Sequence, residues 1–125
     1  MAVESNIWDE TYRALADQRS GQYAFGKFSG AATVALCDIS GEAACGILQN
    51  NPQSGDNAVV RMAGRSKCRG AATIAVNTMI CTDHSGRALA VTLGSGDYSI
   101  AMTHEAMADG KISEVIVRGT PHRMK

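Results

Sequence analysis

The sequence predicts an all-β fold: a small β-barrel or sandwich built of two related meanders, with a short helical or extended N-terminal arm. Three observations predict it. From Tyr23 onward, apolar residues recur at every second position over short runs. Glycine-bearing turns separate those runs. Two stretches of the chain also echo one another at matched spacing.

The arm comes first, over residues 1–20. "SNIWDETYRALADQRSG" holds most of the helix-compatible sequence, with Trp8, Tyr12 and Leu15 spaced to share one helical face. Ser5 is placed to cap such a helix, and Asp9 and Glu10 suit its first turn. A helix this short is marginal in water, so the arm is expected to order against its own barrel or a neighbour.

The β domain is expected over residues 21–119, with a C-terminal tail over 120–125. "YAFGKF" leads into "ATVALCDI", where Val34 and Leu36 face one way. "NAVVRMAG" puts Ala58, Val60 and Met62 on one face and Val59 and Arg61 on the other. "ALAVTL" offers Leu89, Val91 and Leu93, and "DYSIAMT" offers Tyr98, Ile100 and Met102. Turns are expected at Ser40, Ser54, His84, Gly94 and Ala108, each beside glycine. "THEAMADG" is long enough for one helical turn and no more.

The echo is clearest at the ends of the two halves. "GDNAVVRMAG" (Gly55 to Gly64) matches "GKISEVIVRG" (Gly110 to Gly119), with Val60 aligned to Val115. Upstream, "CDISGEA" from Cys37 resembles "CTDHSGRA" from Cys81 with one insertion. Two such meanders packed together bury apolar sides that neither buries alone.

Composition excludes several classes. Apolar residues make up 45% of the 125, but many are alanine and aromatics are only 5%, so the core is thin for the length. Oligomerisation or docking on a larger surface is expected to add burial. Twelve basic residues balance twelve acidic ones without a basic stripe, which argues against nucleic acid as a partner. No apolar run approaches ~18 residues, so no membrane span is expected. "MAVESNIWDE" lacks the apolar core of a secretion signal, and synthesis in a cytosol is expected. Cys37, Cys45, Cys68 and Cys81 include no C-x-x-C pair, and each lies in or beside an apolar run. They read as small buried thiols.

Catalytic, metal-binding and cofactor-binding residues are not expected. Asp83 and His84 are chain neighbours, whose side chains diverge in extended backbone, so they form no dyad. Asp83, His84, Glu105 and Asp109 match no metal-ligand spacing. "GSGDYS" precedes a strand run, so no helix N-terminus is there to hold phosphate. Two alternatives stay open: an enzyme using Cys81 with His84 or His104, and a small ligand-binding barrel lined by Tyr98 and Met102.

The interface candidates are three. Trp8, Tyr12 and Leu15 form the apolar face of the arm. Asn50, Asn51 and Pro52 interrupt "GILQNNPQSGDNAVV" and read as an exposed polar loop held out by a rigid hairpin. Arg65, Lys67 and Arg69 alternate in "GRSKCRG", so one strand face carries all three, as edge protection or toward an acidic partner.

"GILQNNPQSGDNAVV", then "AGRSKCRGAATIAVNTMICTDHSGRALA", then "GKISEVIVRG" follow in an order that resembles the capsid cement, or head-decoration, proteins of tailed bacteriophages. The resemblance spans about Tyr23 to Gly119. Ala101 stands where that family often has glycine, and the arm with Trp8 is longer. The resemblance implies a non-enzymatic virion protein without cofactors. It implies binding to the outer surface of the mature capsid, clamping of neighbouring major capsid protein subunits, and assembly as a homotrimer.

Overall fold

Period-two patterning over short runs yields nine strands among the described residues. The computed structural model describes residues 7–15, 21–91 and 97–123, the last five by backbone alone. The strands are β1 (Trp8–Ala14), β2 (Phe25–Phe28), β3 (Thr33–Leu36), β4 (Gly46–Leu48), β5 (Asn57–Arg69), β6 (Met79–Thr82), β7 (Ala88–Ala90), β8 (Tyr98–Thr103) and β9 (Ile112–Arg123). They form one sheet in the order β1-β3-β2-β4-β5-β9-β8-β6-β7, and β1 also pairs with β5. That extra pairing closes the first five strands into a barrel. Closure satisfies the edge hydrogen bonds of β3 and β5 together. The fold is all-β, and "THEAMADG" forms bends and one bridge residue, Met107, in place of a helical turn.

Of the two forms expected for the arm, helical or extended, the structure shows the extended one. Residues 8–14 are a strand, antiparallel to β5 from Trp8↔Ala63 to Arg13↔Asn57 and parallel to β3 at Arg13 and Ala14. A helix there would leave two barrel edges unpaired, a cost larger than its weak local propensity. The spacing of four that suggested a helical face also keeps Trp8 and Tyr12 on one strand face, until a bulge between Trp8 and Asp9 shifts the register. Tyr12 packs on the barrel core, whereas Trp8 is 45% exposed and Leu15, just past the strand, 51%. Ser5 lies outside the described residues. At the other end β9 runs on past Gly119, pairing His122 with Ser99 and Arg123 with Tyr98.

The internal echo is a repeat of pairing, with a period of 54 to 56 residues. Gly26↔Leu36 and Phe28↔Val34 return as Ile80↔Ala90 and Thr82↔Ala88. Ile47↔Arg61 and Leu48↔Val60 return as Met102↔Ile116 and Thr103↔Val115. Arg13↔Asn57 returns as Arg69↔Ile112. β5 therefore serves twice: its first half ends the first unit, and its second half takes the place of β1 in the second. The parallel bridge Ala14↔Val34 recurs as Gly70↔Ala88. Three backbone bonds at that node recur with it. Ala14 N–H to Asp56, Gly55 N–H to Ala14 and Leu15 N–H to Val34, each 2.9 Å, become Gly70 to Lys111, Gly110 to Gly70 and Ala71 to Ala88, also 2.9 Å.

The match between Gly55–Gly64 and Gly110–Gly119 thus falls on equivalent strands, and Val60 and Val115 are both fully buried. The second echo does not hold. Ser40-Gly41 joins β3 to β4, whereas Ser85-Gly86 joins β6 to β7, and the position equivalent to Cys81 is Lys27. Shared turn chemistry produced that likeness: a glycine at φ +79° or +81° ends either turn.

Each unit has its own core. Val34, Leu48, Ala58, Val60 and Met62 fill the first barrel. Cys68, Ile80, Ile100, Val115 and Val117 lie in the second cluster, which Phe25 and Ile47 join from the outer side of the first. Gly26 and Gly46 face each other in the first barrel, where the second has Ile80 and Ala101.

Candidate docking surface

The Asn50–Pro52 loop is built for rigidity more than display. The Asn50 side chain accepts from Val59 N–H at 3.1 Å and donates to Asn57 O at 3.0 Å, bridging the hairpin's two arms. Asn51 accepts from Gln22 N–H at 3.0 Å, and its amide donates to the Gln22 side chain at 3.2 Å. Pro52 is buried, so the expectation of an exposed proline fails. The loop folds back on residues upstream of β2, and only Asn51 and Gln53 to Asn57 stay open to solvent.

Arg65, Lys67 and Arg69 do share a face. Arg65 and Lys67 are exposed, Arg69 is half-buried, and Ser66 and Cys68 between them are buried. Over this row β5 pairs with β9 alone, since β1 and β4 pair with its first half, residues 57–63; the other side of residues 65–68 has no strand partner among the described residues, as the edge reading expects. The row looks onto β9, opposite Ile116, Glu114 and Ile112. Arg65 lies 3.7 Å from Glu114, and Lys67 sits 5.7 Å above the Tyr23 ring. Both contacts are solvated, and each contributes below about 1 kcal/mol.

Tyr23 anchors this surface. It holds φ of 67°, uncommon for a residue with a side chain, and is pinned by backbone bonds to Leu48 and from Arg69. Two open depressions meet at Tyr23, Lys67 and Glu114, of about 280 and 490 Å³. They are grooves with mixed charge, unlike an enclosed apolar ligand site. Sequence reasoning missed Tyr23 and Glu114, because the backbone bond from Arg69 to Tyr23 and the β5–β9 pairing together bring them to one face.

The first strand is tied to this face by a bidentate ion pair. Arg61 Nε and Nη2 donate to Asp9 at 2.7 and 2.9 Å, and the carboxylate holds the guanidinium pKa above its usual value. Trp8 Nε1 donates to Glu10 at 2.7 Å, which leaves the indole ring standing off the barrel wall.

The two other readings find no support in the geometry. Cys81 is buried, burial pushes its thiol up to about 11, and its Sγ lies 3.9 Å from the Asp97 carboxylate. A raised thiol pKa is the opposite of what a nucleophile needs. His84 and His104 are exposed on separate turns. Asp83 is 4% exposed and structural: its carboxylate accepts from Ser85 and Arg87 N–H, both at 2.8 Å. Met102 faces outward, opposite exposed Ile116, and so lines no barrel interior. Among the described residues no group of side chains is placed to hold a metal ion. All four cysteines are free and buried, and burial raises Cys37, Cys45 and Cys68 to about 12.

What fold and surface define is a rigid, duplicated β-barrel with mixed-charge, solvent-open faces. No family model matches the sequence, and no curated protein does. Among solved structures, the head fiber gp8.5 N base of bacteriophage phi29 is similar over 94% of this chain and 98% of that one. The TM-score is 0.68 and the sequence identity 14%, so the likeness is one of fold.

Proposed function

We propose that this chain is a structural protein of a tailed-phage virion, without enzymatic activity. It sits on the outer surface of the mature head as a homotrimer and holds neighbouring major capsid protein subunits together. The observation that carries the reading is the likeness of fold to a phage head fiber base over nearly the full length of both chains. The sequence resemblance to capsid cement proteins points the same way. Buried, high-pKa thiols and solvent-open grooves suit a scaffold that works through its surfaces. Several weak contacts on one trimer act together, because once one is made the others become intramolecular. A protein that binds only the mature lattice stabilises it by mass action.

The neighbour's description as a fiber base favours a second reading, a pedestal for a projection from the head. Heads purified without the protein, then incubated with it and imaged by cryo-electron microscopy, test both. Added density on the outer shell and a raised disruption temperature are expected. Density continuing outward from each site supports the pedestal. Heads left bare by excess protein, from a phage whose own virions lack it by mass spectrometry, overturn both.

A further inference from the structure

The second half of β5 has one edge without a strand. Ala63 pairs with Trp8 of β1 and with Arg118 of β9, so those two strands lie on opposite sides of β5 there. Beyond Ala63, β9 continues along its side to Arg69, whereas the pairing with β1 has ended. Backbone groups along a strand face its two sides alternately. Gly70 N–H donates to Lys111 O and Gly70 O accepts from Gly110 N–H, both at 2.9 Å, so the even residues face β9. Arg65, Lys67 and Arg69 therefore face the side of β1. Arg69 N–H is taken by Tyr23 O at 3.0 Å. Arg65 O accepts from Arg61 Nη1 at 2.7 Å, and Lys67 O accepts from Ser66 Oγ at 2.9 Å, each keeping a second lone pair. The N–H groups of Arg65 and Lys67 have no strand partner among the described residues. They border the depression of about 280 Å³ that Ile7 also lines.

We propose that residues 4–6 of this same chain, which lie outside the described residues, dock on that edge as a continuation of β1, antiparallel to β5, with Asn6 opposite Arg65 and Glu4 opposite Lys67. Continuity names the occupant. β1 enters along this side of β5, and one step back from Trp8 for each step forward from Ala63 sets the register. Ile7, the next residue upstream, borders the depression beside Arg65 and Lys67. Charge agrees with the register. Lys67 has the Tyr23 ring beneath it and no ion pair among the described residues, and a carboxylate directly opposite on the neighbouring strand is a favourable cross-strand partner. The open length agrees as well, because Tyr23 O closes the edge at Arg69 and leaves room only for a short strand. An open strand edge is a template for pairing with other chains, and this segment would cover it. The inference concerns the isolated chain and is independent of any seat on a phage head.

Solution NMR on the full chain tests it. In an antiparallel ladder the pairs between the bonded ones bring their Hα atoms together, so a cross-peak between Ser5 Hα and Ser66 Hα is expected. Proline at position 4 removes the donor to Lys67 O and breaks the pairing. The Lys67 amide should therefore exchange with solvent at least about tenfold more slowly in wild type than in Glu4→Pro. Ala2→Pro, beyond the end that Tyr23 closes, should exchange as wild type does. If Glu4→Pro disturbs the fold, Glu4→Lys replaces it: exchange at residue 67 should quicken, and adding Lys67→Glu should slow it again. A mixture of isotope-labelled and unlabelled chains tells the chain's own segment from a neighbour's, and the cross-peak should arise within single chains. Lys67 exchange as fast in wild type as in Glu4→Pro, a missing Ser5–Ser66 cross-peak, or one found only between different chains each overturn the proposal.

Discussion

Adding one methyl group at Gly46 should destabilise the protein more than the same change at Gly26, Gly55, Gly70 or Gly110. Gly46 lies on β4 facing Gly26, on ordinary strand backbone. A Cβ there would sit 2.4 Å from Arg61 O and 2.6 Å from the Val60 side chain. The obstacle is backbone of the neighbouring β5, which cannot rotate away, so two strands must part by close to 1 Å. Overpacking of this kind costs about 1–3 kcal/mol. The upper end applies, because β4 is three residues long and paired on both sides. For a chain of this length about 3 kcal/mol lowers Tm by roughly 12 °C. Gly55→Ala is the comparison. Gly55 has φ of +84° but nothing within 4 Å of a Cβ, so only backbone strain of about 1 kcal/mol applies. Urea unfolding of both variants at equal temperature measures the difference. If Gly46→Ala loses no more than Gly55→Ala, the tight approach of β4 to β5 is wrong. The repeat supplies a natural control. Ala101 occupies the position equivalent to Gly46, and there a bulge between Ser99 and Ala101 shifts the β8–β9 register and makes room.

Alkaline pH should unfold the protein through its thiols. Their folded pKa values are raised by burial to about 11 or 12, so their contribution is complete below the unfolded value near ~8.5 and is lost as pH rises toward the folded one. At pH ~10 the loss is up to about 2 kcal/mol per thiol, and the Tm of a variant with all four cysteines replaced by alanine should fall less steeply between pH ~8 and ~10 than that of wild type. Replacing those cysteines should cost stability at neutral pH by loss of packing while leaving head binding intact, which titration of heads with the variant would show. Asp9→Ala removes the bidentate partner of Arg61 and should cost about 1 kcal/mol, read as a shift in urea midpoint and confirmed by a double-mutant cycle with Arg61→Ala. Trp8→Ala should barely move Tm, because the indole is 45% exposed; a weaker grip on heads by the still-folded variant would place the ring at the capsid contact, and unchanged binding would remove it from that contact.

The sequence alone determined the class of fold, because strand alternation and glycine turns are local signals. It determined the inward face of β5, where Ala58, Val60 and Met62 are all buried, and the equivalence of that strand to β9. It determined the buried character of the four thiols. Only the tertiary structure decided the fate of residues 8–14. Helix and strand propensities there differ by less than the energy of pairing two open barrel edges, and that energy depends on strands far away in sequence. Tertiary structure also set the basic row opposite Glu114 and Ile116 of β9, a neighbour that cannot be read from β5 itself. It buried Pro52, because the loop folds back toward Gln22, 29 residues upstream of Asn51 in the chain. And it corrected the repeat: similar Ser-Gly turns occur wherever a hairpin needs a positive φ, whereas register is set only when whole strands pair.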